Sequence, residues 1–244
     1  MSKEKSGAGA RRAARKRAAA GALSEAVAEG AAPGESVEAE EETTPFDRAV
    51  RLEAAGDVAA ALEAYRDLLA VEPGHPRARL RLAALLERTG ELEAALEQYE
   101  AARVRAPDDV DVLLGVGSVL LALRRFEAAE QELRRAQRLD PDRADCYVML
   151  GLVLYRRGLY VQAEAELSRA IALDPQNAAA HYYRGESLNH LGRIDEALSM
   201  LMRAVELDPT NARAYYTMGI LYDRKLLREE AAAMYRVARE LGGR

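Results

Sequence analysis

The chain has 244 residues and a net charge of −5; 49% of its residues are apolar but only 5% aromatic, with no tryptophan. Alanine, leucine, glutamate and arginine dominate, which favours helix and argues against an all-β fold, since β-branched and aromatic residues are scarce. The single cysteine, Cys146, allows neither an internal disulfide nor a thiolate zinc site, and the net acidity gives the chain as a whole no electrostatic reason to bind nucleic acid.

Residues 1–41 are low in complexity, with basic side chains clustered before Ala18 and acidic ones concentrated from Glu25 onward. Between Ala10 and Glu29 helix propensity is high, yet this order of charges opposes the helix dipole, and only Leu23 and Val27 are large and apolar. A disordered tail is expected. It lacks the apolar core of a signal peptide, and uncharged runs such as Val112–Leu123 are too short to span a bilayer, so the cytoplasm is the expected compartment. The cluster RRAARKR, Arg11–Arg17, is a candidate contact for nucleic acid or an anionic membrane. No aromatic residues interleave with it and an acidic tract follows, which favours a solvated tail.

Beyond the tail the chain repeats. Pro73, Pro107, Pro141, Pro175 and Pro209 are spaced by 34 residues without insertion or deletion, and three of them close the string Leu-Asp-Pro. Units are therefore expected at 42–75, 76–109, 110–143, 144–177, 178–211 and 212–244. Position 20 is Ala in all six, from Ala61 to Ala231. Position 8 is small (Ala49, Ala83, Gly117, Gly151, Gly185, Gly219), and position 24 is Tyr65, Tyr99, Leu133, Leu167, Leu201 and Tyr235. Small residues on two successive helices let their axes approach while large ones fill the space around them, so each unit reads as a helical hairpin. In the first unit, Thr44 before Pro45 and Asp47 is an N-cap signature, placing the first helix start near Pro45. Gly56, Gly90, Gly158 and Gly192 at position 15 end the first helix of four units; the prolines at position 32 end the second.

These in-register columns resemble the tetratricopeptide repeat (TPR), with about six repeats over residues 42–244 and the last three matching best. The resemblance implies an all-α, right-handed solenoid of antiparallel helical hairpins. Three departures stand out: Pro45 and Arg48 replace the aromatic and leucine that the family prefers, and Arg124 and Leu226 stand at the turn position of units three and six. The solvating helix that often follows the last TPR is also missing from the pattern. The terminal helix, expected at Glu229–Leu241 and including Met234 and Tyr235, must then face solvent or a partner, and self-association through it is one reading.

Nothing in the pattern points to catalysis, a cofactor or a metal. The three histidines (His75, His181, His190) accompany no metalloprotease, hydrolase-elbow or phosphate-loop motif. His181 reads as a packed hairpin residue, and Cys146 as a small buried hydrophobe. The segments Val112–Leu123 and Cys146–Tyr155 are instead apolar on every side, as a buried helix or a binding surface would be. By resemblance, positions 2, 5, 6, 9, 12 and 13 of the first helices line a concave groove. The candidate partner-binding residues are Leu114 and Ser118, with Leu121 beside them, then Val148, Met149, Leu152 and Tyr155; Tyr182, Tyr183, Glu186, Asn189 and His190; and Tyr216, Ile220, Asp223 and Arg224. Some TPR co-chaperones bind acidic chaperone tails through a carboxylate clamp with Lys at position 5. Here that column reads Phe46, Leu80, Leu114, Val148, Tyr182 and Tyr216. An apolar or aromatic peptide or helix of another protein is the expected ligand, and the role a scaffold or adaptor. The alternative is an anionic-surface adaptor that works through Arg11–Arg17, with the repeats as its docking or self-association body.

Overall fold

The computed structural model describes residues 44–242. The tail expected at 1–41, including Arg11–Arg17, lies outside the described residues. Twelve helices form six consecutive hairpins: α1 (Pro45–Ala54) with α2 (Val58–Val71), α3 (Pro76–Thr89) with α4 (Leu92–Arg105), and α5 (Val110–Ala122) with α6 (Phe126–Leu139). They continue with α7 (Ala144–Arg156) and α8 (Tyr160–Leu173), α9 (Ala178–His190) and α10 (Ile194–Leu207), and α11 (Ala212–Arg224) and α12 (Arg228–Glu240). No strand occurs among the described residues, and the molecule is an all-α solenoid.

Local chemistry sets the helix ends. Thr44 accepts the Asp47 amide at 3.1 Å and caps α1. The residue preceding Pro76, Val110, Ala178 and Ala212 does the same for its helix: His75, Asp109, Asn177 and Asn211 each accept an amide of the first turn. His75, expected in an inter-repeat turn, thus caps α3 through Nδ1 at 3.1 Å and stacks on Phe46 with ring centroids 5.1 Å apart. Each first helix ends on a residue at positive φ: 80° at Gly56, 85° at Gly90, 78° at Gly158 and 75° at Gly192. Arg124 and Leu226 take the same conformation, at 61° and 62°, although they carry a Cβ. The hairpin needs this turn, and the tertiary fit of two helices enforces it on side chains that disfavour it.

Within a hairpin, position 8 packs on position 24. A Cβ built on Gly117 would stand 2.6 Å from Leu133, on Gly151 2.5 Å from Leu167, and on Gly185 2.8 Å from Leu201, so these glycines mark close helix approach. The first helices of units two to six also touch one another in succession (α3 with α5, α5 with α7, α7 with α9, α9 with α11), whereas successive second helices make no comparable contact. First helices consequently crowd on one side of the array and second helices fan out on the other. Side-chain bridges still link the outer helices: Arg103 of α4 to Glu132 of α6 at 2.7 Å, and Gln137 of α6 to Glu166 of α8 at 2.8 Å.

Candidate partner-binding groove

The crowded side is built from positions 5, 6, 9, 12 and 13 of the first helices, and these columns cross-link from one unit to the next. Ser118 on α5 donates to Glu87 on α3, Tyr155 on α7 donates to Glu186 on α9 at 3.2 Å, and Arg224 on α11 donates to Asn189 on α9 at 2.8 Å. The first two links join position 12 of one unit to position 9 of the next.

The expected residues fall along this face with graded exposure. Leu114, Ser118, Leu121, Val148, Met149, Leu152, Tyr155, Tyr182, Tyr183, Asn189 and Ile220 are half-buried; His190, Tyr216, Asp223 and Arg224 are exposed; Glu186 is buried. Leu114, Val148 and Met149 share one cavity of 320 Å³ with Tyr99 and Gly115, rimmed by Glu87, Asp111 and Asp145. Tyr99 leans over Gly115 of the next hairpin so closely that any Cβ there would collide with its ring. Further along, Tyr182 and Tyr216 line a 540 Å³ cavity together with Arg213, Thr217 and Leu241.

Between these cavities the face is aromatic. Tyr155 lies 5.7 Å from Tyr183, 5.8 Å from Tyr160 and 5.8 Å from His190, centroid to centroid. Tyr160 and His190 stack face to face at 4.1 Å, and Tyr182 meets Tyr183 edge-on at 4.9 Å. Burial and the neighbouring Glu186 carboxylate raise the Tyr155 and Tyr182 phenols well above the ordinary value, keeping both neutral.

Tyr160 is not among the residues expected here, because it opens a second helix at position 17. Its aromaticity is visible in the sequence; that the curvature swings it onto His190 is not. A second feature joins columns 12 and 24. Tyr65 donates to Glu53 and Tyr235 to Asp223, both at 2.8 Å, and Tyr99 lies beside Glu87, which raises its phenol after burial has done so. Every unit with tyrosine at position 24 has a carboxylate at position 12; units three to five pair leucine with Leu121, Tyr155 and Asn189. That co-occurrence is readable in the sequence as a hydrogen bond within the hairpin. At units one, two and six, position 12 therefore serves the fold as well as the groove face.

The remaining titratable candidates are structural in setting. His181 is buried, its Nε2 3.1 Å from the Pro175 carbonyl, and burial lowers its pKa. Cys146 is buried on α7, and burial pushes its thiol up to about 11. No cluster of three metal-ligating side chains occurs among the described residues, and none of their helices is long and apolar enough to cross a membrane.

Solved structures share this architecture. The crystal structure of YrrB, a TPR protein described as having an unusual peptide-binding site, is 29% identical with a TM-score of 0.56, covering 74% of this chain and 93% of its own. MamA is 27% identical with a TM-score of 0.58, over 66% of this chain and 94% of its own. TTC0263, a thermophilic TPR protein of Thermus thermophilus, is 27% identical with a TM-score of 0.61, over 72% of this chain and 96% of its own. Among curated proteins none matches this chain. Tetratricopeptide repeats are protein-interaction scaffolds and typically non-catalytic, which agrees with a site made of apolar, aromatic and hydrogen-bonding side chains. The match that spans nearly the whole sequence, residues 13–244, is to the cilia and flagella-associated protein 70 C-terminal domain, and the chain belongs to that TPR family.

Proposed function

We propose that the protein is a scaffold or adaptor that holds an apolar or aromatic peptide or helix of a partner protein against the first-helix face. The observation that carries this reading is the position-5 ladder over four consecutive hairpins. Leu114, Val148 and Tyr182 stay half-buried and Tyr216 is 44% exposed, leaving a partly open strip along this face. Identical positions on consecutive repeats make a continuous surface, suited to an extended or helical ligand. The peptide-binding site ascribed to YrrB supports the same use of a related array. A reducing compartment such as the cytoplasm suits the single buried thiol.

The test is Tyr182→Ser combined with Tyr216→Ser in an affinity pull-down from the native source. Rigid amphipathic rings are enriched among interface hot spots, where truncation costs about 2 kcal/mol each, or roughly thirtyfold in affinity per residue. Helical circular dichroism should persist while partner recovery collapses. Undiminished recovery by the folded double variant would move the site away from this face.

A further inference from the structure

Glu186 occupies an unusual place for a carboxylate. It projects from the middle of α9, is only 9% exposed, and receives one hydrogen bond, from Tyr155 to Oε2. Its Oε1 is buried with no hydrogen-bond partner among the described residues. The cations nearest in sequence are engaged elsewhere: Arg184 is bound to Glu164 at 2.7 Å, and Arg193 to Glu196. A buried polar atom without a hydrogen-bond partner carries a desolvation cost, so the site is incomplete at Oε1.

The surroundings specify what would complete it. Tyr182 and Tyr183 stand one turn before Glu186 on the same helix, Tyr155 covers it from α7, and Tyr160 with His190 extends the aromatic wall. Ring faces carry negative quadrupole potential and attract cations within about 6 Å of their centroids. Tyrosine ring faces beside a single carboxylate favour a positive group. We propose that this box takes the ammonium or guanidinium of a lysine or arginine side chain supplied by the partner protein, with the charge on Oε1 and the aliphatic stem lying along Tyr155 and Tyr182. Entry requires a ring to turn aside, since Oε1 is sealed. The chain's own Arg11–Arg17 is disfavoured as the source because the acidic tract Glu25–Glu42 follows it in the sequence and offers it nearer carboxylates.

The inference rests on the groove reading for the partner's direction of approach, but the cation site is testable without any partner. In full-length protein with ¹³C-labelled tyrosine rings, n-butylammonium or n-butylguanidinium chloride is titrated at constant ionic strength, with n-butanol as the neutral control. The ring signals of Tyr155, Tyr182 and Tyr183 should shift saturably with the cations and not with butanol. Glu186→Gln should weaken the response at least tenfold, and Tyr182→Leu, which keeps the carboxylate, several-fold. Equal shifts with butanol, or an unchanged cation response in folded Glu186→Gln, would overturn the site. Replacing Arg11, Arg12, Arg15, Lys16 and Arg17 by glutamine should leave the titration unchanged; a several-fold tighter response would make the tail the occupant and overturn the assignment to a partner. Cation shifts without loss of pull-down in the tyrosine double variant would sink the groove reading alone, and the converse result the cation site alone.

Discussion

At the scale of single residues, Arg124 and Leu226 are where local preference loses to tertiary demand. Each sits at positive φ in a turn that four other hairpins give to glycine. A left-handed conformation costs an L-residue about 1–2 kcal/mol, partly offset on substitution by the greater freedom glycine has in the unfolded chain. Leu226 is 81% exposed and gives up little burial on removal. Leu226→Gly is expected to raise stability by about 0.5–1 kcal/mol, read as an increased denaturant midpoint at constant slope, and Arg124→Gly should act in the same direction. Gly185 shows the opposite logic. A Cβ there would meet Leu201 at 2.8 Å and the Ala197 carbonyl at 3.3 Å, so Gly185→Ala should lower stability by about 1–3 kcal/mol through overpacking.

At the scale of the helical hairpin, the tyrosine at position 24 does two jobs. Its ring fills the space between the helices, and its hydroxyl satisfies a carboxylate near the end of the first helix, as Tyr65 does for Glu53. Burial and that carboxylate both oppose ionisation: Tyr65 is raised, and Tyr235 is pushed up to about 12 from 10.0. Because the folded chain holds these protons more tightly than the unfolded one, the contribution is full below about pH 10 and is lost as pH climbs through the folded values. Stability should thus begin to fall above about pH 10, read as a declining denaturant midpoint. A midpoint unchanged up to about pH 12 would contradict this. Tyr235→Phe should shrink the alkaline loss in the last hairpin while changing little at neutral pH, since the Tyr235–Asp223 pair is exposed.

At the scale of the whole molecule, the principal packing contacts link each helix only to those one or two places away along the chain. Such an array has no long-range closure, so stability is a sum of hairpin and interface terms, and the first and last hairpins, each with one neighbouring hairpin among the described residues, are its weakest parts. The final helix α12 buries only Ala231 and Ala238, and α1 only Phe46 and Ala49, whereas α5 buries seven residues from Val112 to Leu120. Native-state hydrogen exchange should therefore release α12 and α1 first and α5 last. Uniform protection along the array would mean that the hairpins unfold as one unit.

The 34-residue period determined most of the fold by itself. The small and large columns at positions 8, 20 and 24, the turn position and the prolines concern residues close in sequence, and hairpin packing repeats that local geometry six times. The same regularity exposed the position-5 ladder, from Leu114 to Tyr216. What only the tertiary structure decided lies between units. Whether Tyr155 reaches Glu186, whether Tyr160 stacks on His190, and whether Oε1 of Glu186 is left without a partner depend on how far each hairpin rotates over the last. That rotation is the summed outcome of close approaches between hairpins such as Tyr99 over Gly115. A periodic sequence pattern records which faces meet within a hairpin; the small angle between hairpins arises from packing volumes on both sides, and it turns a row of polar and aromatic residues into one particular cluster.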